Sequence, residues 1–382
     1  MKKITFFFLL SAGFILPQNA VNLPDCFYKR LEGKIDDSLN IQMNISRTDS
    51  ILDGNYFYER NGEPIPFRYY SFLGEGGKIF IEEESGYDYE ASPIITGIFK
   101  GRFITENEIR GKWLTRDSSL IFNFYLNENY PAGSSKFDIK HLSRYYGKSD
   151  YYPYAAGIEL SCPVMVNFPD TIVEDKINSY VMNVYLSDFS GEEDYYPNLE
   201  ARIDSFIEDY RQEIEADSEF FKDYRPVYEN IESTEIAFNS DNILSLEIME
   251  YLFTGGAHGN SYISLSSFNL QTGEQIKLDD IFYGNYRQKL NEVGEKIFRE
   301  DYMADSTQSL FDQGFFGFEN GFALNNNFDL FKGGIKFQFN PYEAGAYALG
   351  APEVFIHWSD IKDIIRDDSL IGKMLNKDSQ SR

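Results

Sequence analysis

The sequence predicts an α+β protein: an N-terminal all-β antiparallel meander or barrel-like domain, then an α+β domain whose helices pack on an antiparallel sheet. Three observations predict it. Short alternating apolar runs broken by Gly, Asn and Asp fill the region from about Leu31 to Leu126. Apolar residues recur at helical spacing only well beyond that region. Phe and Tyr, at 34 and 28 residues, dominate an aromatic content of 17%, which favours ordered β-rich structure over disorder.

The chain opens on Met1-Lys2-Lys3 and runs directly into an uncharged apolar stretch from Ile4 to Leu16. A basic start followed by an apolar run shorter than the ~20 residues a membrane span needs reads as a secretory leader, here residues 1–20 with cleavage near Ala20. An exported protein, periplasmic or extracellular, is therefore expected, without a later membrane span. Leu23-Pro24-Asp25-Cys26 stands where a lipoprotein cysteine can stand, but Asp25 occupies a position where such signals want a small residue, which disfavours a lipid anchor at Cys26. The other cysteine is Cys162. A Cys26–Cys162 disulfide, available in an oxidising compartment, and two separate fates stand as equal alternatives, because sequence gives no distance between them.

The first domain is placed at 27–130. Ile41–Ile45, Asn55–Tyr58, Lys78–Ile81, Ile98–Phe103, Ile109–Trp113 and Ile121–Tyr125 each read as a half-buried strand. Roughly eight such strands at hairpin spacing favour a meander that curls into a barrel or sandwich, and the recurring glycines help it bend. A polar stretch from Asn127 to about Lys140 breaks the rhythm and marks the boundary.

The second domain is placed at 141–370, with sub-regions of about 154–255 and 256–365. Leu199, Ile203, Phe206, Ile207, Tyr210 and Ile214 stripe one amphipathic helix, and others are expected over Val173–Leu186 and Tyr286–Phe298. Ile243–Phe253, Tyr262–Leu270, Ile335–Phe339 and Val354–Ile356 read as strands, with a Gly333-Gly334 turn before the third. Ser359 is placed to cap a short helix through Ile365, and 371–382 reads as a polar tail, frayed from Asn376.

With 35 basic and 61 acidic residues the net charge is −26, and loss of Lys2 and Lys3 with the leader takes it to −28. Such a chain repels nucleic acid and anionic lipid; its acidity reads first as a device for solubility, with long-range attraction for a basic partner as the sharper alternative. The three histidines, His141, His258 and His357, have neither the mutual spacing nor the neighbouring cysteines of a zinc site. There is no nucleophile elbow, phosphate loop or dinucleotide fingerprint. The acidic pairs Glu192-Glu193 and Asp279-Asp280 read as solvated surface, since neither shows calcium-loop spacing. No catalytic residue, metal or cofactor is expected.

Two strings stand out. Thr254-Gly255-Gly256-Ala257-His258-Gly259-Asn260 places three glycines among five residues between two strands, a sharp turn whose His258 is read as structural before functional. Phe337-Gln338-Phe339-Asn340-Pro341-Tyr342-Glu343 continues through Ala344-Gly345-Ala346-Tyr347-Ala348-Leu349-Gly350, a strand that ends in a small-residue loop carrying two tyrosines. Thr254, Gly255, Gly256, His258, Asn260, Pro341, Tyr342, Glu343 and Tyr347 are the candidate contact residues.

With the strand and Thr-Gly turn at Ser264–Glu274, these strings resemble a bacterial extracytoplasmic module. It is the paired domain found in the accessory region of the PdaC peptidoglycan deacetylase and in the ectodomain of the lysozyme-sensing anti-sigma factor RsiV, and it covers roughly Tyr154 to Ile365 here. The N-terminal β-domain resembles one fused to this module in exported proteins of Bacteroidetes. The resemblance implies binding without catalysis, with a cationic, lysozyme-like wall hydrolase as partner or, as the alternative, peptidoglycan or another glycan. The deacetylase's metal-binding motifs and the sigma-binding segment are absent from the sequence, so an envelope hydrolase or deacetylase is the least favoured reading.

Overall fold

The computed structural model describes residues 21–87, 93–148, 153–186, 195–216, 219 and 226–380; the expected leader and the Glu192-Glu193 pair lie outside them. Eight strands form the first domain: β1 (Cys26–Ile35), β2 (Leu39–Thr48), β3 (Ile51–Tyr58), β5 (Phe72–Gly74), β6 (Lys78–Tyr87), β7 (Pro93–Thr105), β8 (Glu108–Thr115) and β9 (Ile121–Glu128). Each is hydrogen-bonded antiparallel to the next, β9 returns to β1, and the two-residue β4 (Ile65–Pro66) is attached to β3. The meander expected from alternation is thus a closed barrel, which leaves no free sheet edge.

Alternation decides what fills it. Leu31, Ile41, Met43, Tyr56, Ile81 and Phe99 point inward and are essentially inaccessible. One carboxylate joins them: Glu83 accepts from the Tyr56 hydroxyl, from Thr96 Oγ1 at 2.8 Å and from Trp113 Nε1 at 3.0 Å. Three donors satisfy a charge that would otherwise be costly in such an interior.

The second domain begins earlier than the sequence pattern indicates, at β10 (Lys136–Tyr146), which pairs with β11 (Ala156–Val166). The chain then crosses through α1 (Thr171–Tyr185) and α2 (Tyr195–Ala216) to β12 (Tyr228–Ser240), β13 (Ile243–Phe253) and β14 (Asn260–Asn269). The sheet order is β10-β11-β12-β13-β14, antiparallel as expected except where β11 and β12 pair in parallel. The helical crossover is what permits a parallel pair. Asp170 caps α1 by accepting from the Ile172 and Val173 amides. Val173, Ile177, Val181, Leu199 and Ile203 from the two helices seal one face of the sheet.

A second, three-stranded sheet of β15 (Phe328–Leu330), β16 (Gly334–Gln338) and β17 (Glu353–His357) carries α3 (Leu278–Ile281), α4 (Tyr286–Asp301) and α5 (Leu370–Gln380). Its core centres on Phe298 of α4, ringed by Phe315, Phe318 and Phe322 with centroids 5.1 to 5.6 Å away. Two expectations change here. The tail at 371–382 is helical to Gln380, because Ile371 and Met374 supply an apolar stripe that the core takes up. Ser359 caps no helix: its segment forms two 3-10 turns, 358–360 and 362–364, and its hydroxyl faces Asp360.

The two domains meet at a β-bulge. On β12 Ile236 pairs with Leu246 and Phe238 with Ser245, so Ala237 is an extra residue between them. Its carbonyl is met by two barrel side chains, Asn44 Nδ2 at 3.1 Å and Asn55 Nδ2 at 3.0 Å. Beside it Arg30 donates through Nε to the Asn239 carbonyl at 2.8 Å, and Asn239 Nδ2 donates to the Tyr28 hydroxyl at 3.1 Å. Apolar contacts bracket this polar seam, with Phe57 against Phe238 and Tyr28 against Phe137.

Cys26 starts β1 beside Arg47 and Asp49, whereas Cys162 is buried under α1, where burial pushes its thiol up to about 12. Both are free, so the disulfide alternative is not formed, although Cys26 packs at the margin of the core that holds Cys162.

Replacing Asn44 and Asn55 together by Ala strands the Ala237 carbonyl and should destabilise the protein by about 1–3 kcal/mol. Trp113 reports the barrel and Trp358 the second domain, so urea unfolding of variants retaining only one of them should coincide in the parent and separate in the double variant. Asp329 on β15 is fully buried, and burial holds its carboxyl well above the usual carboxylate range against the pull of Lys336. A raised folded-state value means that the associated stability is complete below the unfolded value of about 3.9 and is lost as pH rises toward the folded one. Stability of the parent should therefore fall with pH above about 4 relative to Asp329→Asn; parallel urea midpoints of the two proteins across pH would contradict this.

Candidate binding site

The Gly-Gly-Ala-His-Gly turn joins β13 to β14. Gly255 and Gly256 adopt φ of +94° and +97°, a backbone region that side chains disfavour, which explains the residue type. Gly259 is buried, and a Cβ there would lie 2.4 Å from the Tyr251 ring. Thr254, His258 and Asn260 are exposed.

The second string leaves β16 and is pinned to the outer edge of β14 by side-chain amides. Asn340 Oδ1 accepts from the Ile263 amide at 2.6 Å and its Nδ2 donates to the Ile263 carbonyl at 3.1 Å. Asn327 acts one step along, accepting from the Leu265 amide at 2.7 Å and donating to the same Ile263 carbonyl at 2.8 Å. Two asparagines thus occupy the place of a sixth strand. Beyond them Glu343 accepts from the Asn340 amide at 2.9 Å, closing a turn in which Tyr342 has φ of +72°.

This pinning brings the two strings together. The Tyr347 ring stacks on the His258 ring with centroids 3.9 Å apart and planes 18° apart. The Tyr347 hydroxyl donates to the Gly259 carbonyl at 2.9 Å, and His258 Nδ1 lies 2.9 Å from the same oxygen. A carbonyl can only accept, so Nδ1 carries the proton. Tyr342 completes the row, its ring 5.6 Å from that of Tyr347 and half exposed. His258, Tyr347 and Tyr342 thus form one aromatic ridge.

Alongside the ridge runs an open groove of about 530 Å³ over β12, β13 and β14, bordered by Pro341 and Tyr342. Its floor includes the cross-strand row Glu232, Glu250 and Tyr262. Arg202 of α2 grips the Glu232 carboxylate with both terminal nitrogens, and Asn230 Nδ2 donates to it at 3.0 Å. Partial burial and then the Glu232 charge push the Glu250 carboxyl up, with Arg202 opposing. Leu252 and Tyr262 are half exposed on the same floor.

Of the residues singled out in the sequence, Asn260, Pro341 and Tyr342 line the groove, His258 and Tyr347 build the ridge, and Glu343 closes the turn behind it. Thr254, Gly255 and Gly256 form the turn and do not line the groove. Sequence reading missed Arg202, Glu232, Glu250 and Tyr262; an alternation count along β12 to β14 places the last three on one face, but nothing local marks Arg202 as their partner. Among the described residues no group of three or more His, Cys, Asp or Glu is placed to hold a metal ion.

Asn340→Ala leaves the Ile263 amide and carbonyl with one partner fewer each and should cost about 1–2 kcal/mol. Hydrogen exchange at the Ile263 amide should accelerate more than at Leu265; equal protection in the variant and the parent would remove Asn340 from this role.

Residues 148–261 match the family model described as deacetylase PdaC, and residues 279–359 match the model of DUF3298, a protein family of unknown function. Among solved structures, a DUF3298 family member from Bacteroides fragilis is 22% identical and superposes with a TM-score of 0.56 over 64% of this chain and 99% of its own. A DUF3298 family protein from Pseudomonas aeruginosa is 13% identical, with a TM-score of 0.42 over 62% of this chain and 97% of its own. No curated protein matches the chain. Behind its N-terminal barrel, the chain carries the paired PdaC and DUF3298 module that its glycine and tyrosine strings resemble.

Proposed function

We propose that this chain is a non-catalytic binding protein of the bacterial envelope that captures a cationic protein of the lysozyme class through the His258–Tyr347–Tyr342 ridge and the adjoining groove. The observation that carries the reading is the convergence of two distant strings into one exposed aromatic row fixed by backbone-directed bonds. Rigid aromatic side chains give contact area at low entropic cost. Charge supports a basic partner: residues 129–382 hold 43 Asp and Glu against 21 Lys and Arg, while residues 21–128 hold 18 against 12. The field is thus concentrated on the domain that bears the ridge, where it accelerates encounter with a cationic protein.

A glycan is the second reading, favoured by the groove itself. Tyr262 and Tyr342 present partly exposed rings beside the amides of Asn230 and Asn260 and the paired Arg202 and Glu232, a mixture suited to sugar hydroxyls and ring faces.

The test is calorimetric titration of the chain from Val21, which holds every described residue, with a c-type lysozyme at low and physiological salt. Saturable binding at both salts, weakened about tenfold or more (1.4 kcal/mol) by Tyr342→Ala with Tyr347→Ala, is expected. Binding that vanishes at physiological salt, or ignores the two substitutions, would leave only nonspecific attraction. Competition by soluble peptidoglycan fragments at the same residues would favour the glycan.

A further inference from the structure

The barrel's outer wall carries a feature that the net charge conceals. Strand register aligns Ile51, Phe72, Phe80, Lys100 and Lys112 in one rung across β3, β5, β6, β7 and β8. The adjacent rung runs Lys78, Arg102, Arg110, Tyr125 and Lys34 across β6, β7, β8, β9 and β1. Interior residues alternate with all of these, so their side chains face outward. Lys78, Lys100, Arg102, Arg110 and Lys112 therefore lie together on β6, β7 and β8 of an acidic protein, with Lys34 two strands farther round, and neither rung contains an acidic residue. Of the flanking acids, Glu108 pairs with Arg110 and Glu82 with Arg68.

The apolar end of this band is exposed. Phe72 and Phe80 stack at 5.5 Å, with Phe72 46% and Ile51 41% accessible, and Lys100 Nζ lies 5.5 Å over the Phe80 ring. The turn entering β5 adds Tyr69 and Tyr70, at 75% and 65%, with the Arg68 guanidinium 5.1 Å over Tyr70. Phenylalanine makes no hydrogen bond to a polar ligand, and a barrel's outer wall is convex, so the band suits an extended interface more than an enclosed ligand.

We propose that this band docks the protein on an anionic lipid surface, Lys78, Lys100 and Lys112 meeting headgroup phosphates while Phe72, Phe80 and Tyr70 enter the interfacial layer. Amphipathic surfaces bind there by combining buried apolar area with attraction to anionic lipid, and tyrosine is enriched at that depth. The acidity of the chain does not oppose this strongly. Most of it belongs to residues 129–382, and at physiological salt charge is screened over about 8 Å. The general expectation that so acidic a chain repels anionic lipid is thus replaced locally by attraction.

The test is co-sedimentation of the chain from Val21, free of the apolar stretch at residues 4–16, with phosphatidylcholine vesicles with and without phosphatidylglycerol at physiological salt. Circular dichroism of each variant verifies folding. Binding is expected only to the phosphatidylglycerol vesicles, falling about tenfold or more with Lys100→Glu/Lys112→Glu and measurably with Phe72→Ser/Phe80→Ser, while lysozyme titrations stay unchanged by either pair. Absence of binding to anionic vesicles, or binding unaffected by both variants, overturns the proposal. So does equal affinity for a soluble polyanion such as heparin with no effect of the phenylalanine changes, which would make the band a polyanion site.

Discussion

One carbonyl oxygen governs how this protein is assembled. The bulge at Ala237 takes that oxygen out of the β12–β13 ladder, and a buried carbonyl without a partner is costly. The partners come from the other domain: Asn44 and Asn55, neighbours on β2 and β3 whose amides converge on it. Each side therefore supplies what the other lacks, since two buried asparagine amides on a barrel wall would be equally unsatisfied without the bulge. Around this point the Arg30 guanidinium, itself 1% exposed, donates to the Asn239 carbonyl, the Asn129 carbonyl and the Glu32 and Gln42 side chains. A buried guanidinium is tolerable only when its donors are matched this completely. Such a seam specifies one orientation, because sliding by one residue would break several bonds at once.

The bulge also explains what could and could not be read from the sequence. The alternating runs, the helical stripes of α1, α2 and α4 and the glycine turn at residues 254–260 are local patterns, and all appear in the fold. What local pattern cannot express is a polar residue whose environment is another domain: Asn44 and Arg30 occupy outward strand positions that read as solvent-facing, yet both are buried. The same limit hid α5, where Ile371 and Met374 among polar neighbours gain meaning only from the core they complete. It hid the parallel β11–β12 pair as well, since parallel and antiparallel strands share one alternation. In the site, the glycine and tyrosine strings were legible because unusual backbone demands unusual residues. Arg202, Glu232 and Glu250 were not, because they are ordinary residues brought together from three separate elements.

The placement of the ridge follows from a different constraint, the unpaired edge of β14. An exposed strand edge invites further strands, and natural sheets block it. Here Asn327 and Asn340 occupy its hydrogen-bonding groups with side chains rather than with another backbone. A sixth strand would have continued the sheet and buried residues 341–350 in it. Two side-chain amides end the pairing after one step, so the chain turns outward at Pro341 and carries Tyr342 and Tyr347 across the β13–β14 turn. The shared Gly259 carbonyl then fixes the second string to the first through Tyr347 and His258 together. Edge protection and surface presentation are consequently one device: the residues that stop the sheet from growing are those that aim the tyrosines, and a rigid aromatic row emerges without a dedicated scaffold.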